Sequence, residues 1–320
     1  MRRALVLGAT GFIGGHVTRA AAARGWSVRA ARRREGFTGA IGDVAVEWVR
    51  ADLGDLDSLV EAMRGIEVVF HAAARYVHSG RHITRHVAGA RAEIGRVLHA
   101  ARQAGVKRLV YTSTLTTIGA SLEPGQPADE RSAYVPGSAR DAYHELKWAM
   151  EQDVLREGLP AVIVCPTVVF GPGDIHLSIS RLLLAIARGQ VPFSVDGVVN
   201  VIDVRDVAEA HVSAAERGRI GERYILGGHN LTIAELIDGV ARVAGVASPR
   251  FRIPPSILRG MGALSRWLPG DPGATLRSQH LLQPLSNAKA VSELGLAPRP
   301  LEDTLRDALA WFRERGQLAG

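Results

Sequence analysis

Lysine, cysteine and long apolar runs are what this 320-residue chain has least of. Cys165 is the only cysteine, which excludes an intrachain disulfide and fits a cytoplasmic setting. Its place in an apolar segment points to inert packing. No stretch approaches the roughly 20 unbroken apolar residues that a membrane-spanning helix needs. The opening Met1-Arg2-Arg3 followed by apolar residues imitates a signal peptide, but no apolar region of sufficient length follows. The histidines are scattered, with no His-x-x-x-His pair beside acids, so no metal site is expected. Aromatic residues make up 5% of the chain and do not interleave with any basic stretch. A nucleic-acid partner is therefore not expected, despite a formal charge of +7. Lys107, Lys147 and Lys289 are the only lysines, so this charge is nearly all arginine. No internal repeat is present. With 47% apolar residues over 320 positions, the chain can bury one large core or two modest ones.

What is there begins at the first residues. Arg3-Ala4-Leu5-Val6-Leu7 reads as a buried parallel strand. Gly8-Ala9-Thr10-Gly11-Phe12-Ile13-Gly14 follows with the spacing GxxGxxG, and then a helical stretch, Gly15 to Arg24. Strand, glycine turn and helix together make a place for a pyrophosphate. Glycines allow the close backbone approach, and the helix N-terminus offers unpaired N–H groups. A second strand, Ser27 to Ala31, ends in Arg32-Arg33-Arg34. Proteins that prefer NAD usually place an acid here for the ribose hydroxyls, whereas arginine attracts a 2′-phosphate. Arg32 and Arg33 are thus read as a clamp favouring NADP(H) over NAD(H), a solvated basic turn being the other reading. Asp52-Leu53 after a third strand, Ala45 to Val49, suits an adenine edge. Ala72, Ala73 and Ala74 after the fourth, Ile66 to Phe70, are small enough for a cofactor to lie across the strand ends. A basic cluster of Arg75, His78, Arg81, His82, Arg85 and His86 follows. It would suit an anionic substrate, or simply form a solvated helix face.

The chemistry sits mid-chain. Arg108 to Thr114 reads as a fifth strand ending in the hydroxyls of Thr112, Ser113 and Thr114. Reacting groups belong at such strand ends. Tyr143 and Lys147 lie four residues apart in a helical stretch and share one face. A tyrosine of pKa near 10 needs a shift of about 3 units, roughly 4 kcal/mol, to serve as an acid–base near pH 7. A unit charge about 4 Å away supplies about 4 kcal/mol at an effective dielectric of 20. Lys147 would provide that charge, and Thr114 or Ser113 would hold the substrate oxygen beside the phenol.

These segments resemble the extended short-chain dehydrogenases/reductases of the NAD-dependent epimerase/dehydratase superfamily. The resemblance extends through Pro166-Thr167-Val168-Val169-Phe170-Gly171-Pro172-Gly173-Asp174, Val201 to Ala208 and Arg223 to Gly228, nearly the whole chain. The pattern is most similar to the branch of dihydroflavonol-reductase-like and hopanoid-associated sugar-epimerase-like proteins. It implies an α/β fold: a Rossmann-type, doubly wound, mostly parallel sheet of about seven strands, with a smaller discontinuous C-terminal substrate domain. Residues 1–168 with 198–229 would hold the dinucleotide, and 169–197 with 230–320 the substrate. The resemblance also implies Thr114 as the catalytic hydroxyl, Tyr143 as acid–base and Lys147 as the ribose-orienting base partner. Thr112 would join the cofactor contacts, and Pro166, Thr167, Val168 and Val169 would lie along the nicotinamide. A homodimer formed through the helices near 84–104 and 142–157 is implied as well.

Two departures matter. Leu115 follows Thr114 where sugar 4,6-dehydratases carry an Asp-Glu pair, which argues against dehydration. His86 stands where many relatives have an asparagine, which puts a water relay there in doubt; a helix-packing histidine is the simpler reading. Three functions follow: an NADPH-dependent reductase of a carbonyl, or the reverse alcohol dehydrogenase; a sugar epimerase with tightly held NAD; and a non-enzymatic NADP sensor. Arg32 and Arg33 favour the first, and the retained Tyr-x-x-x-Lys pair disfavours the third.

Overall fold

The computed structural model describes residues 2–73, 77, 81–139, 141–177, 179–249, 251–253 and 282–318. Ala74, Arg75 and His78 lie outside this set. So does all of 254–281, where the apolar stretch Ile257 to Trp267, with its basic interruptions, reads in the sequence as part of a substrate-domain helix and loops.

The framework is one seven-stranded sheet in the order β3-β2-β1-β4-β5-β6-β10. Its strands are β1 (Arg3–Leu7), β2 (Ser27–Arg32), β3 (Glu47–Arg50), β4 (Val68–His71), β5 (Arg108–Thr112), β6 (Ala161–Pro166) and β10 (Arg223–Leu226). Every pairing is parallel, as expected where helices cover both faces. Side chains alternate strictly between two cores. Ala4 and Val6 of β1 join Val17, Ala20 and Ala21 of α1 (Phe12–Ala23) and Val207 and Val212 of α6 (Val204–Arg217). Leu5 and Leu7 face the other way, toward α2 (Leu56–Met63), α3 (Ile83–Gln103) and α4 (Ala142–Arg156), where Ile94, Val97, Leu146 and Met150 are buried. Each such fully buried aliphatic side chain contributes about 1.5–3 kcal/mol.

Strand order reverses between β1 and β4, so their carboxyl ends open a crevice where a ligand is expected to lie. A second layer continues from β6. Here β7 (Val168–Phe170) leaves the large sheet and pairs with β9 (Val198–Asp203), which also pairs with β11 (His229–Thr232). β8 (Phe193–Val195) pairs with β12 (Phe251–Ile253). A third core forms where Phe170 meets α5 (Ser180–Ala187), α7 (Ile233–Ala244) and α8 (Leu301–Glu314), through Leu183, Leu236, Val240, Leu309 and Phe312. The Thr232-x-x-Glu235 spacing in the sequence fits a capping box, and the structure has it at the start of α7, Thr232 and Glu235 each bonding the other's backbone.

Boundaries moved where glycine or a turn intervened. α1 starts at Phe12 rather than Gly15, because Gly11 is its extended N-cap residue. The apolar-rich stretch Leu177 to Arg188 reads in the sequence as a helix, but α5 starts at Ser180, because Leu177 has a φ of +50°, incompatible with a right-handed helix.

Candidate active site

The glycine turn is built by exclusion. Gly8 has a φ of +87°, and a Cβ there would sit 2.7 Å from Ala73 N and 2.8 Å from the Ala72 carbonyl carbon. A Cβ on Gly14 would overlap the Gly8 carbonyl oxygen. The first turn of α1 therefore lies directly against the ends of β1 and β4. No side chain caps α1 and no acid stands in its first turn, while Thr10, Gly11, Phe12 and Ile13 are only half-buried. Apart from Gly11, whose N–H donates to the Gly8 carbonyl at 2.9 Å, these N–H groups can receive an anion. The residues present thus fit a dinucleotide pyrophosphate.

The 33–46 connection folds back over this turn, which the sequence did not suggest. Gly39, with φ +62°, packs against the Thr10 backbone, and buried Ile41 sits on Gly15. Arg19 of α1 holds Asp43 through two charged hydrogen bonds of 2.7 and 2.8 Å. At the end of β2, the Arg32 guanidinium lies over the Trp48 ring, 5.3 Å from its centroid. Arg33 is exposed, and among the described residues no carboxylate pairs with Arg32 or Arg33. Asp52 tightens its own turn by accepting from Gly54 N at 2.8 Å, and the Leu53 carbonyl accepts from Arg96 Nε at 2.6 Å.

α4 carries the titratable pair. Buried Asp141 caps it, accepting from Tyr143 N at 3.1 Å and pairing with His144 Nδ1 at 2.9 Å. Tyr143 is 6% exposed and Lys147 3%. Lys147 Nζ donates to the Thr112 carbonyl at 2.8 Å and lies 5.0 Å from the centre of the Tyr111 ring. Burial pushes this ammonium down to about 8. It sits at the end of β5, where the chain continues into the hydroxyl residues.

Those hydroxyls divide. Ser113 Oγ donates to the Glu151 carboxylate and meets Thr117 Oγ1 at 3.1 Å. It is committed to the protein interior. Thr114 only accepts, from Thr116 N at 3.4 Å, as the N-cap of a 3-10 turn over Leu115–Thr117. Its O–H hydrogen has no acceptor among the described residues. Thr112 turns its hydroxyl to buried His211 Nε2, 2.9 Å away. The His211 Nδ1 bonds the Val207 carbonyl at 2.7 Å, so Nδ1 donates and Nε2 of the neutral ring accepts. Between β6 and β7, Thr167 Oγ1 donates to Asn200 Oδ1 at 2.9 Å. Pro166 ends β6, and Val168 and Val169 open β7. His86 is half-buried on α3, toward its N-terminus.

Glu151 and Arg223 were missed by sequence reasoning. Glu151 is fully buried, 3.0 Å from Arg223 Nε. It was findable: Tyr143, Lys147 and Glu151 continue one i, i+4 row. Arg223, reaching across from β10, had no local signal. Among the described residues, no group of three or more His, Cys, Asp or Glu is placed to hold a metal ion, and no helix is long and apolar enough to cross a membrane.

Residues 4–227 match the model of the NAD dependent epimerase/dehydratase family. The chain is 33% identical to sterol demethylase protein B of Methylococcus capsulatus, over 98% of this chain and 99% of that protein. It is also 33% identical to a putative dihydroflavonol 4-reductase of Synechocystis sp., over 97% of this chain and 94% of that one. The crystal structure of a nucleoside-diphosphate-sugar epimerase from Pseudomonas aeruginosa matches with a TM-score of 0.86 at 31% identity, covering 99% of each chain.

Proposed function

The chain belongs to the NAD dependent epimerase/dehydratase family of enzymes, and within it we propose an NADP(H)-dependent oxidoreductase acting on a carbonyl or secondary alcohol, with Tyr143 as the acid–base. The observation that carries this reading is Lys147, buried on the same α4 face as Tyr143 and anchored to the Thr112 carbonyl beside Thr114. Bound dinucleotide supplies or accepts the hydride. Gly8, Thr10, Gly11, Phe12, Ile13 and Gly14 would hold its pyrophosphate, and Asp52, Leu53, Ala72, Ala73 and Ala74 would flank its adenosine half. Lys147 would hold the ribose, and Pro166 to Val169 would lie beside the nicotinamide.

Tyr143 gives a proton to the carbonyl oxygen in reduction and takes it back in oxidation. Lys147, charged below about pH 8, favours the phenolate form by Coulomb attraction. Thr114 donates to the same substrate oxygen, since its O–H has no acceptor among the described residues. Ser113 is committed to Glu151 and leaves that role to Thr114. For the 2′-phosphate we assign Arg32 and Arg33. Arg32 is held by stacking on Trp48, and the absence of a competing carboxylate among the described residues leaves both guanidinium groups available. Residues 1–168 with 198–229 would carry the cofactor, and 169–197 with 230–320 the substrate. A homodimer through α3 and α4 and a cytoplasmic setting complete the reading.

The test is the identity and exchange of dinucleotide in freshly purified protein, by mass spectrometry and fluorescence titration. Reversible NADPH binding tighter than NADH, with that preference lost in Arg32→Asp/Arg33→Ala, is the expected result. Retained NAD that resists exchange would instead favour transient oxidation of a sugar, in line with the named function of the Pseudomonas relative. An unchanged preference in the variant would remove the arginine clamp.

A further inference from the structure

A polar network lies behind the strand-end turn, in the core shared by α4, β5, β6 and β10. Its centre is Glu151, which has no solvent exposure. Its carboxylate accepts from Ser113 Oγ and, at 2.8 Å, from Thr117 Oγ1, and it pairs with Arg223 Nε at 3.0 Å. Arg223 also donates to the Thr117 carbonyl at 2.8 Å and to the carbonyls of Glu130 and Ser132 at 3.2 and 3.3 Å. The network therefore grips both sides of Thr114, at Ser113 and at Thr117. A charge so deeply buried is costly unless paired. An apolar residue here would fill the same space without that cost, so the carboxylate calls for a role that a packing residue does not fill.

We propose that Glu151 is a positioning residue, whose buried carboxylate holds the Lys147 ammonium in its charged form and sets the turn that presents Thr114. This rests on the reading of Lys147 and Thr114 given above. The electrostatic half follows from what surrounds Lys147. Tyr143 and Glu151 flank it by one turn on α4, His71 approaches from β4, Tyr111 from β5 and Cys165 from β6. Burial pushes His71 down to about 4 and Cys165 up to about 12, and it also raises the Tyr111 phenol. All three are therefore neutral between pH 6 and 9. Asp153, farther along α4, is tied to Arg91 at 2.7 Å. Glu130, behind Arg223, bonds Ile225 N at 2.8 Å, and its carboxyl is raised by burial. Glu151 is the acid on Lys147's own helix face, and removing it takes away the negative charge that opposes burial in driving the proton off.

Three lysines in the whole chain make the test direct. With 13Cε-labelled lysine, Lys107 and Lys289 serve as internal references, and Lys147 is assigned by its loss in Lys147→Met. In the wild type, Lys147 should titrate at about 8, below the ordinary lysine value. In Glu151→Gln its midpoint should fall by at least one further pH unit, and NADPH affinity should begin to weaken at correspondingly lower pH. Glu151→Gln leaves Arg223 buried without its partner, a cost that threatens folding. Glu151→Gln/Arg223→Gln removes both charges, leaves no buried ion unpaired, and should show a smaller move in the same downward direction. A Lys147 midpoint unchanged in the folded variant would overturn the proposal, leaving Glu151 a packing device. Failure of NADPH to bind the wild type would overturn the cofactor reading instead, while the lysine titration still decides the part played by Glu151.

Discussion

Ser113 and Thr114 are adjacent hydroxyls with opposite fates. One points to buried Glu151, and the other caps a 3-10 turn with its hydrogen free among the described residues. Composition cannot separate them; the difference is which side of the extended chain each occupies. Tyr143 and Lys147, by contrast, were legible from spacing alone, since i, i+4 residues share a helix face whatever the tertiary context. The prediction at this scale concerns the phenol. Tyr143→Phe should lower kcat by about 10²–10⁴, measured on whichever carbonyl or alcohol supports turnover. NADPH affinity by fluorescence titration should stay within about twofold. A variant retaining full activity would dismiss Tyr143 as the acid–base. Its partner sets a pH limit. Lys147 is charged below about pH 8 and neutral above it, so NADPH affinity should fall as pH rises through that value and hold steady below it.

Among the elements, the β1–α1 unit was read correctly in kind and wrongly at its edge. The fingerprint announced a turn between strand and helix, yet placed the helix start three residues late. Gly14 and Gly15 look like poor helix residues by propensity. Gly14 has to be glycine for α1 to lie against the Gly8 carbonyl, and a Cβ on Gly15 would press on the Ile41 side chain at 3.1 Å. Gly8→Ala tests this packing. The added methyl meets backbone atoms at 2.7–2.9 Å and takes a φ of +87°. Left-handed strain alone costs about 1–2 kcal/mol, and the clash adds to it. Thermal unfolding should shift down by several degrees and NADPH affinity should drop at least tenfold. Unchanged binding in a folded variant would mean that the turn does not cradle the pyrophosphate. The connection after β2 was read only for the arginines at its start. Its contacts with Thr10, Gly15 and Arg19 are made by residues far apart in sequence, and no local pattern encodes them.

For the molecule as a whole, burial of polar groups sets an acid limit. His71 on β4 and His211 on α6 are fully buried on opposite faces of the sheet, and desolvation pushes both down to about 4. Between pH 6.5 and 4 the unfolded chain binds protons that the folded chain refuses. Stability from these two residues is complete above 6.5 and is lost as pH falls toward 4. Each accounts for roughly 3 kcal/mol at the acid end. Urea melts from pH 7 to 4.5 should therefore show a falling midpoint, with a shallower fall in His211→Gln. Identical pH dependence in the variant would place the acid sensitivity elsewhere.

The sequence by itself determined the glycine turn, the basic end of β2 and the Tyr143–Lys147 pair, and its family resemblance implied the parallel sheet. The first three are written in spacing within a few residues, where chain geometry leaves little choice. Tertiary structure alone decided that, among the described residues, Thr114 and not Ser113 keeps a hydroxyl hydrogen without an acceptor, that β7 leaves the main sheet for β9, and that Glu151 and Arg223 meet beneath the site. Arg223 and Thr117 stand 106 residues apart. Contacts of that kind are set by how layers pack and by the demand that buried charge be paired, conditions that hold only once the chain is folded.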